Sequence, residues 1–235
     1  MNRSLQKEIP GPVEPVSAAP RSRGRPRAFD REDALMKAMK LFWVKGYEAT
    51  SIADLTAVLG IGSTSLYAAF GSKDDLYAET LRLYAATFED LVLGRFREAA
   101  TARDAAFAYL WDSAAAMTGS DFDLPHGCLV TLGVVGSEGH EELADLMKSA
   151  RGGAFEVLSA RLAQAVADGE LPASLDIVHL ARYLQTVQSG MSIRARDGAE
   201  RTELQTVAEI AMAGWDGIVG GSHKKAKDGA RVKRR

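Results

Sequence analysis

Between Thr50 and Lys73 the chain reads TSIADLTAVLGIGSTSLYAAFGSK, two short amphipathic stretches joined by a glycine-bounded turn. Thr50 or Ser51 caps a helix over Ile52, Leu55, Val58 and Leu59. Asp54 adds an acid to its first turn, where the exposed N–H groups favour negative charge. Gly60-Ile61-Gly62 stops that helix, because a sharp helix-to-helix turn needs a positive φ that glycine takes without a Cβ clash. A second helix from Ser63 to Phe70 buries Leu66 and Phe70, four apart on one face, and turns Ser63, Thr64, Ser65, Tyr67 and Ala68 outward. Gly71 ends it, and Ser72 with Asp75 forms a capping box in which Asp replaces the usual Glu or Gln. Helix starts this closely spaced leave room only for a tight helical corner.

That layout is a helix-turn-helix, whose second helix enters the DNA major groove, although an ordinary helical hairpin shares the periodicity. The residues themselves decide between the two. The segment GYEATSIADLTAVLGIGSTSLYAAFGSKDDLY resembles the DNA-binding domain of the TetR family of one-component transcriptional regulators. The likeness is close from Phe29 to Leu83 and elsewhere extends only to a helical pattern. Its most specific part is Leu66-Tyr67, Phe70, Ser72-Lys73 and Leu76. The resemblance implies a DNA-contacting set of Thr50, Ser63, Thr64, Ser65, Tyr67 and Lys73. Serine and threonine hydroxyls both donate and accept toward bases. Tyr67 matches a family position whose phenol contacts a phosphate or a thymine methyl. Lys73 matches a lysine whose ammonium, together with a helix N-terminus, holds a phosphate. The chain departs from the family pattern at Gly62, where an N-cap serine is usual, and at Ala69, where a histidine is usual. The family's long polar readers are also absent, so specificity is expected to rest on hydroxyls, methyl contacts, water and an arginine arm.

The arm is Arg21-Ser-Arg-Gly-Arg-Pro-Arg27, and its Arg23, Arg25 and Arg27 resemble an AT-hook. An extended basic segment fits the narrow minor groove of A·T-rich DNA; a solvated tail touching only phosphates is the alternative. Charge along the chain is uneven. Residues 21–73 hold nine Lys/Arg against five Asp/Glu, net +4, whereas residues 74–222 hold eleven against twenty-three, net -12. Phosphates attract the first block and repel the second, which orients a DNA binder.

No strand pattern and no internal repeat emerges, so the fold class is all-α: a three-helix helix-turn-helix domain and a larger helical effector and dimerisation domain. Residues 1–28 form a disordered N-terminus with the basic arm, 29–73 the DNA-binding domain, 74–222 the body, and 223–235 a basic disordered tail. Asp30 caps the first helix and Gly46 ends it. Tyr47 fills a small core or reaches a phosphate. A long helix follows from Ser72 to about Ala102, then helices over 104–117, 125–135, 141–167, 175–196 (capped by Ser174) and 200–219. The last two carry stripes at Ile177, Leu180, Ala181, Leu184, Val187 and Met191, and at Leu204, Val207, Ala208, Ala211, Trp215 and Ile218. By resemblance these helices pair with their copies as a four-helix bundle, giving a homodimer on a palindrome; a monomeric bundle is the alternative.

Cys128 opens a short apolar helix, and Gly127-Cys128-Leu129 resembles a segment whose cysteine senses electrophiles or oxidants in some family members. A helix N-terminus favours thiolate, and a protonated His126 would add to that; Leu129, Val130 and Leu132 instead make an apolar setting that suits a buried structural cysteine. The resemblance also implies an effector pocket in the body, with Phe107, Trp111, Met117, Phe155, Tyr183, Gln185 and Gln188 as candidate walls. Four scattered histidines and one cysteine form no metal set, and the glycine-rich run 133–139 follows no strand and lacks a Gly-Lys-Ser/Thr. No cofactor or catalytic group is expected. The polar, proline-rich start and the single cysteine point to the cytoplasm, and no membrane span is expected. The sequence therefore points to a DNA-binding repressor released by a small-molecule or electrophile/oxidant signal. The rivals are a constitutive architectural DNA binder and a helical small-molecule-binding protein.

Overall fold

The computed structural model describes residues 29–119, 124–133 and 139–220, and among these residues every regular element is a helix. The arm with Arg23, Arg25 and Arg27, the tail after residue 222 and most of the 133–139 run lie outside the described residues. In chain order the helices are α1 (Arg31–Lys45), α2 (Ile52–Leu59), α3 (Ser63–Phe70), α4 (Lys73–Glu98) and α5 (Ala102–Met117). They continue as α6 (Leu129–Leu132), α7 (Glu141–Ala167), α8 (Ile177–Arg196) and α9 (Arg201–Ala213). No single helix among the described residues is long and apolar enough to cross a membrane.

Local chemistry sets the boundaries of the first four helices. The Asp30 carboxylate accepts from the N–H groups of Glu32 and Asp33 at 3.0 and 3.2 Å. Ser51, not Thr50, caps α2: its hydroxyl accepts from Asp54 N–H, and the Asp54 carboxylate accepts from Ser51 N–H. Ser72 and Asp75 repeat this reciprocal pair at the start of α4. Gly60 adopts the left-handed conformation (φ 68°), and α2 and α3 meet at 91°, within the range of about 90–120° that helix-turn-helix corners use.

Several expected boundaries move. α4 stops at Glu98, because Ala99 turns extended and Thr101 caps α5 through Asp104 N–H at 3.0 Å. α6 is a single turn. Asp176, not Ser174, caps α8, its carboxylate accepting from His179 N–H at 3.1 Å. The last helix is interrupted at Gly214, with a further helical turn over 215–220.

Two cores result. One lies under α1–α3 and the start of α4, with Met39, Phe42, Leu55, Leu66 and Leu76 almost fully buried. Burial at this level stabilises by about 1.5–3 kcal/mol per large apolar side chain. It does not end with the helix-turn-helix, since Leu129, Leu143 and Met147 of the body complete it. Gly133 marks the seam: a Cβ there would lie 2.6 Å from Met147 Cε and 2.9 Å from the Tyr77 hydroxyl. The other core fills the space between α5, α7, α8 and α9. Most of the stripe expected to face a second subunit closes this core instead: Leu180, Leu184, Met191, Leu204, Ala208 and Trp215 are buried within the protomer. The apolar side chains that α8 and α9 leave exposed are Val178, Tyr183, Ile193, Val207 and Ile210.

Candidate nucleic-acid interface and ligand cavity

α3 presents Ser63, Thr64, Ser65, Tyr67 and Ala68 to solvent and buries Leu66 and Phe70. No side chain caps its first turn, since Gly62 occupies that position. Its leading N–H groups are therefore open to an anion, with the helix dipole favouring one. Arg31 holds the other end of α3. Its guanidinium forks onto Glu79 at 2.7 Å, donates to the Ala69 carbonyl and lies 4.7 Å from the Phe70 ring centre. Nothing in the local sequence marks Arg31 for this, because Glu79 is 48 residues away.

Two expected contacts are placed differently. Thr50 is fully buried and its hydroxyl donates to the Gly46 carbonyl at 2.7 Å. It braces the bend between α1 and α2 and offers DNA no side chain. Lys73 is half-buried, and its ammonium lies over the Tyr47 ring, 4.1 Å from the centroid. Burial lowers its pKa, against the opposing pull of Glu48 and Asp74. It still stands at the first position of α4, beside that helix's leading N–H groups.

Tyr47 is core, and its hydroxyl donates to Asp74. The other Asp74 oxygen meets His140 Nδ1 at 2.8 Å, so one carboxylate ties the helix-turn-helix to the residue preceding α7. Burial opposes ionisation of Asp74, but the hydrogen bonds from Tyr47 and His140 outweigh it and leave the pKa lowered. A lowered carboxyl pKa contributes stability that is present above the ordinary aspartate range and lost as pH falls through the folded value. Thermal melts should show Asp74→Asn less stable than wild type near neutrality, with the gap closing below about pH 4. A gap that persists unchanged into acid would refute the assignment.

Behind the DNA-binding helices lies a cavity of about 930 Å³. Met117, Cys128, Gln185 and Gln188 line it as the sequence suggested, but Phe107, Trp111, Phe155 and Tyr183 do not. Phe107 and Trp111 pack against each other with ring centres 5.2 Å apart and planes tilted by 33°, and the Trp111 indole N–H donates to the Gln205 amide oxygen of α9 at 3.3 Å. Phe155 lies under the Arg182 guanidinium at 3.5 Å, and the Tyr183 hydroxyl donates to the Ala211 carbonyl. Helical periodicity put these aromatics on plausible faces without saying which neighbour each face meets. Among the described residues the aromatic walls are instead Trp43 of α1, Tyr84 and Phe88 of α4, and Tyr109 of α5. Trp43 packs edge-on against Tyr84 and Phe88 at 5.0 and 5.5 Å, so one side chain of the DNA-binding core forms part of the cavity wall.

Cys128 is buried at the N-cap position of α6, where its side chain makes no capping hydrogen bond. Its N–H donates to Ser192 Oγ at 2.8 Å, and its sulfur accepts from the Tyr84 hydroxyl at 3.2 Å while facing the cavity. Burial and the neighbouring sulfur push the Tyr84 pKa far up, so that phenol remains the donor.

A second link from body to reader comes from Arg196 at the end of α8. Its guanidinium donates to the carbonyls of Trp43 (2.6 Å), Val44 (3.3 Å) and His126 (3.0 Å). Trp43 and Val44 are in the last turn of α1, where carbonyls have no partner within the helix and the dipole favours a cation. Arg196 thus caps α1 from more than 150 residues away.

Comparison with known proteins agrees with this geometry. Residues 34–80 match the family model described as bacterial regulatory proteins, tetR family. The HTH-type transcriptional repressor ComR of Escherichia coli (strain K12) is 37% identical over 201 residues, covering 85% of this chain and 95% of ComR. The repressor BdcR of the same organism is 30% identical over 199 residues, covering 81% and 90%. Among solved structures, a cysteine mutant of the TetR family transcriptional regulator CifR, complexed with 26bp double-strand operator DNA, superposes with a TM-score of 0.75. It has 39% identity and covers 81% of this chain and 100% of that one. With a reading helix braced on a body that holds a cavity, and with relatives this similar over nearly their whole length, the chain belongs to the TetR family of transcriptional regulators.

Proposed function

We propose that this protein is a repressor that binds a palindromic operator as a homodimer and releases it when a small molecule enters the body. The observation that carries this reading is Trp43, which is at once part of the DNA-binding core and part of the cavity wall. A ligand that fits the cavity in one setting of α1 and α4 better than in another shifts the population of dimers between them. The dimer contact uses the exposed apolar side chains of α8 and α9, Tyr183, Val207 and Ile210 among them. α3 reads bases with Ser63, Thr64, Ser65 and Tyr67, and Lys73 holds a phosphate with the start of α4. The arginine arm adds minor-groove contacts. An electrophile or oxidant that enters the cavity meets the Cys128 sulfur, which gives a second form of signal. The protein works as a non-enzymatic regulator in the cytoplasm.

The test is selection of bound duplexes from a random-sequence library, followed by anisotropy titrations on the enriched site. A palindrome should emerge. Ser65→Ala or Tyr67→Ala should weaken binding to it by about 1–3 kcal/mol while leaving non-specific binding unchanged. Lys73→Ala should lower affinity for all sequences and make the salt slope shallower by about 1. Unaltered operator affinity in the Tyr67→Ala, Lys73→Ala double variant would remove α3 and α4 as the reading unit.

A further inference from the structure

The charged side chains around the cavity point to what it holds. Lys148, Arg151 and Arg182 are among the described lining residues, against a single carboxylate, Glu89. Glu89 is already engaged by Arg97. Arg151 donates to the Gly133 carbonyl and Arg182 to Gln185, so neither is neutralised by these bonds. The lining also holds the apolar Leu81, Phe88, Leu93 and Val157, with the uncharged polar Thr131, Gln185, Gln188 and Ser189. This local excess of positive charge sits within a body whose residues 74–222 carry a net charge of -12, so it runs against the background rather than following it.

From the cations around the cavity and the apolar side chains that share its lining, we propose that the cavity takes an amphipathic organic anion. Its hydrophobic body packs against α4 and α5, and its acidic head is held by Lys148 and Arg151. This rests on the cavity being the effector site.

The experiment uses the full chain, with anilinonaphthalene sulfonate as fluorescent reporter and naphthoate, naphthylmethanol and naphthylmethylammonium as competitors. These share one apolar body and differ in the charge of the head group. Naphthoate should displace the reporter at a concentration about tenfold lower than the alcohol, and the ammonium should compete least. Lys148→Gln, alone and combined with Arg151→Gln, should bring naphthoate progressively toward the alcohol without changing the alcohol's own potency. Thermal melts of both variants confirm that the fold persists. Equal displacement by all three heads, preference for the ammonium, or no reporter binding at all would overturn the proposal.

Release of a labelled operator duplex, read in parallel, separates this inference from the reading beneath it. Charge-selective binding with undiminished operator affinity would sink the effector role and leave the ligand class standing. Operator release by the neutral or cationic competitor as readily as by naphthoate would do the reverse.

Discussion

Trp43→Ala is expected to lower stability by about 3–5 kcal/mol, the usual cost of truncating a buried aromatic to alanine. The indole is 4% exposed and packs edge-on against two rings of α4, contacts that add to the area it buries. Its position on a cavity wall argues for the lower end of the range, because the new void opens into existing space instead of being sealed. Urea unfolding should show the midpoint falling with little change in slope. Trp43→Phe should recover most of the loss, since it keeps a ring against Tyr84 and Phe88. A deficit below about 1 kcal/mol for the alanine variant would mean that the indole is not a structural joint between α1 and α4.

Arg196→Met should cost about 2–3 kcal/mol, the scale of losing charge-assisted hydrogen bonds to backbone carbonyls that are partly shielded from water. Methionine keeps much of the aliphatic stem, so the change isolates the guanidinium from the packing of the side chain. The effect on function should be separable from the effect on stability. With its α8 cap gone, the end of α1 is no longer tied to the body, and operator affinity should become less sensitive to any ligand that enters the cavity. The measurement is the ratio of operator affinities with and without saturating ligand, compared between wild type and Arg196→Met at a temperature where both are folded. An unchanged ratio would leave Arg196 as a stabilising cap with no part in transmission.

The contrast between Arg196 and Ser51 explains how much the sequence revealed. Ser51, Gly60 and Ser72 act on atoms a few residues away, so the corner made by α2 and α3 was legible from spacing alone, and Leu66 and Phe70 fall on its buried face as expected. Even here the choice between adjacent Thr50 and Ser51 as cap was open, and the structure buries the threonine. Arg196, Arg31 and the Asp74–His140 pair act across 48 to 153 residues. No local pattern encodes such partners. The cavity was harder still. Periodicity identifies which side chains share a helix face, but a void forms where faces fail to meet, and that depends on how the helices cross. Phe107, Trp111 and Phe155 therefore read as pocket walls, while nothing in the sequence singled out Tyr109, Lys148 or Arg151.

One stretch of the cavity wall has a bearing on how such a regulator diversifies. Gly152 and Gly153 stand side by side within α7, between Ala150 and Ala154, all four lining the cavity, and a methyl group added at either glycine would meet nothing within 4 Å. Glycine within a helix is about 1 kcal/mol less favourable than alanine, so larger residues here begin with a gain in helix stability that offsets the cost of a tighter fit. Ligand size can then be reset by single substitutions in α7, on an element that contributes nothing to the exposed face of α3. A duplicated copy of the gene has a short route to a new inducer while keeping its old operator.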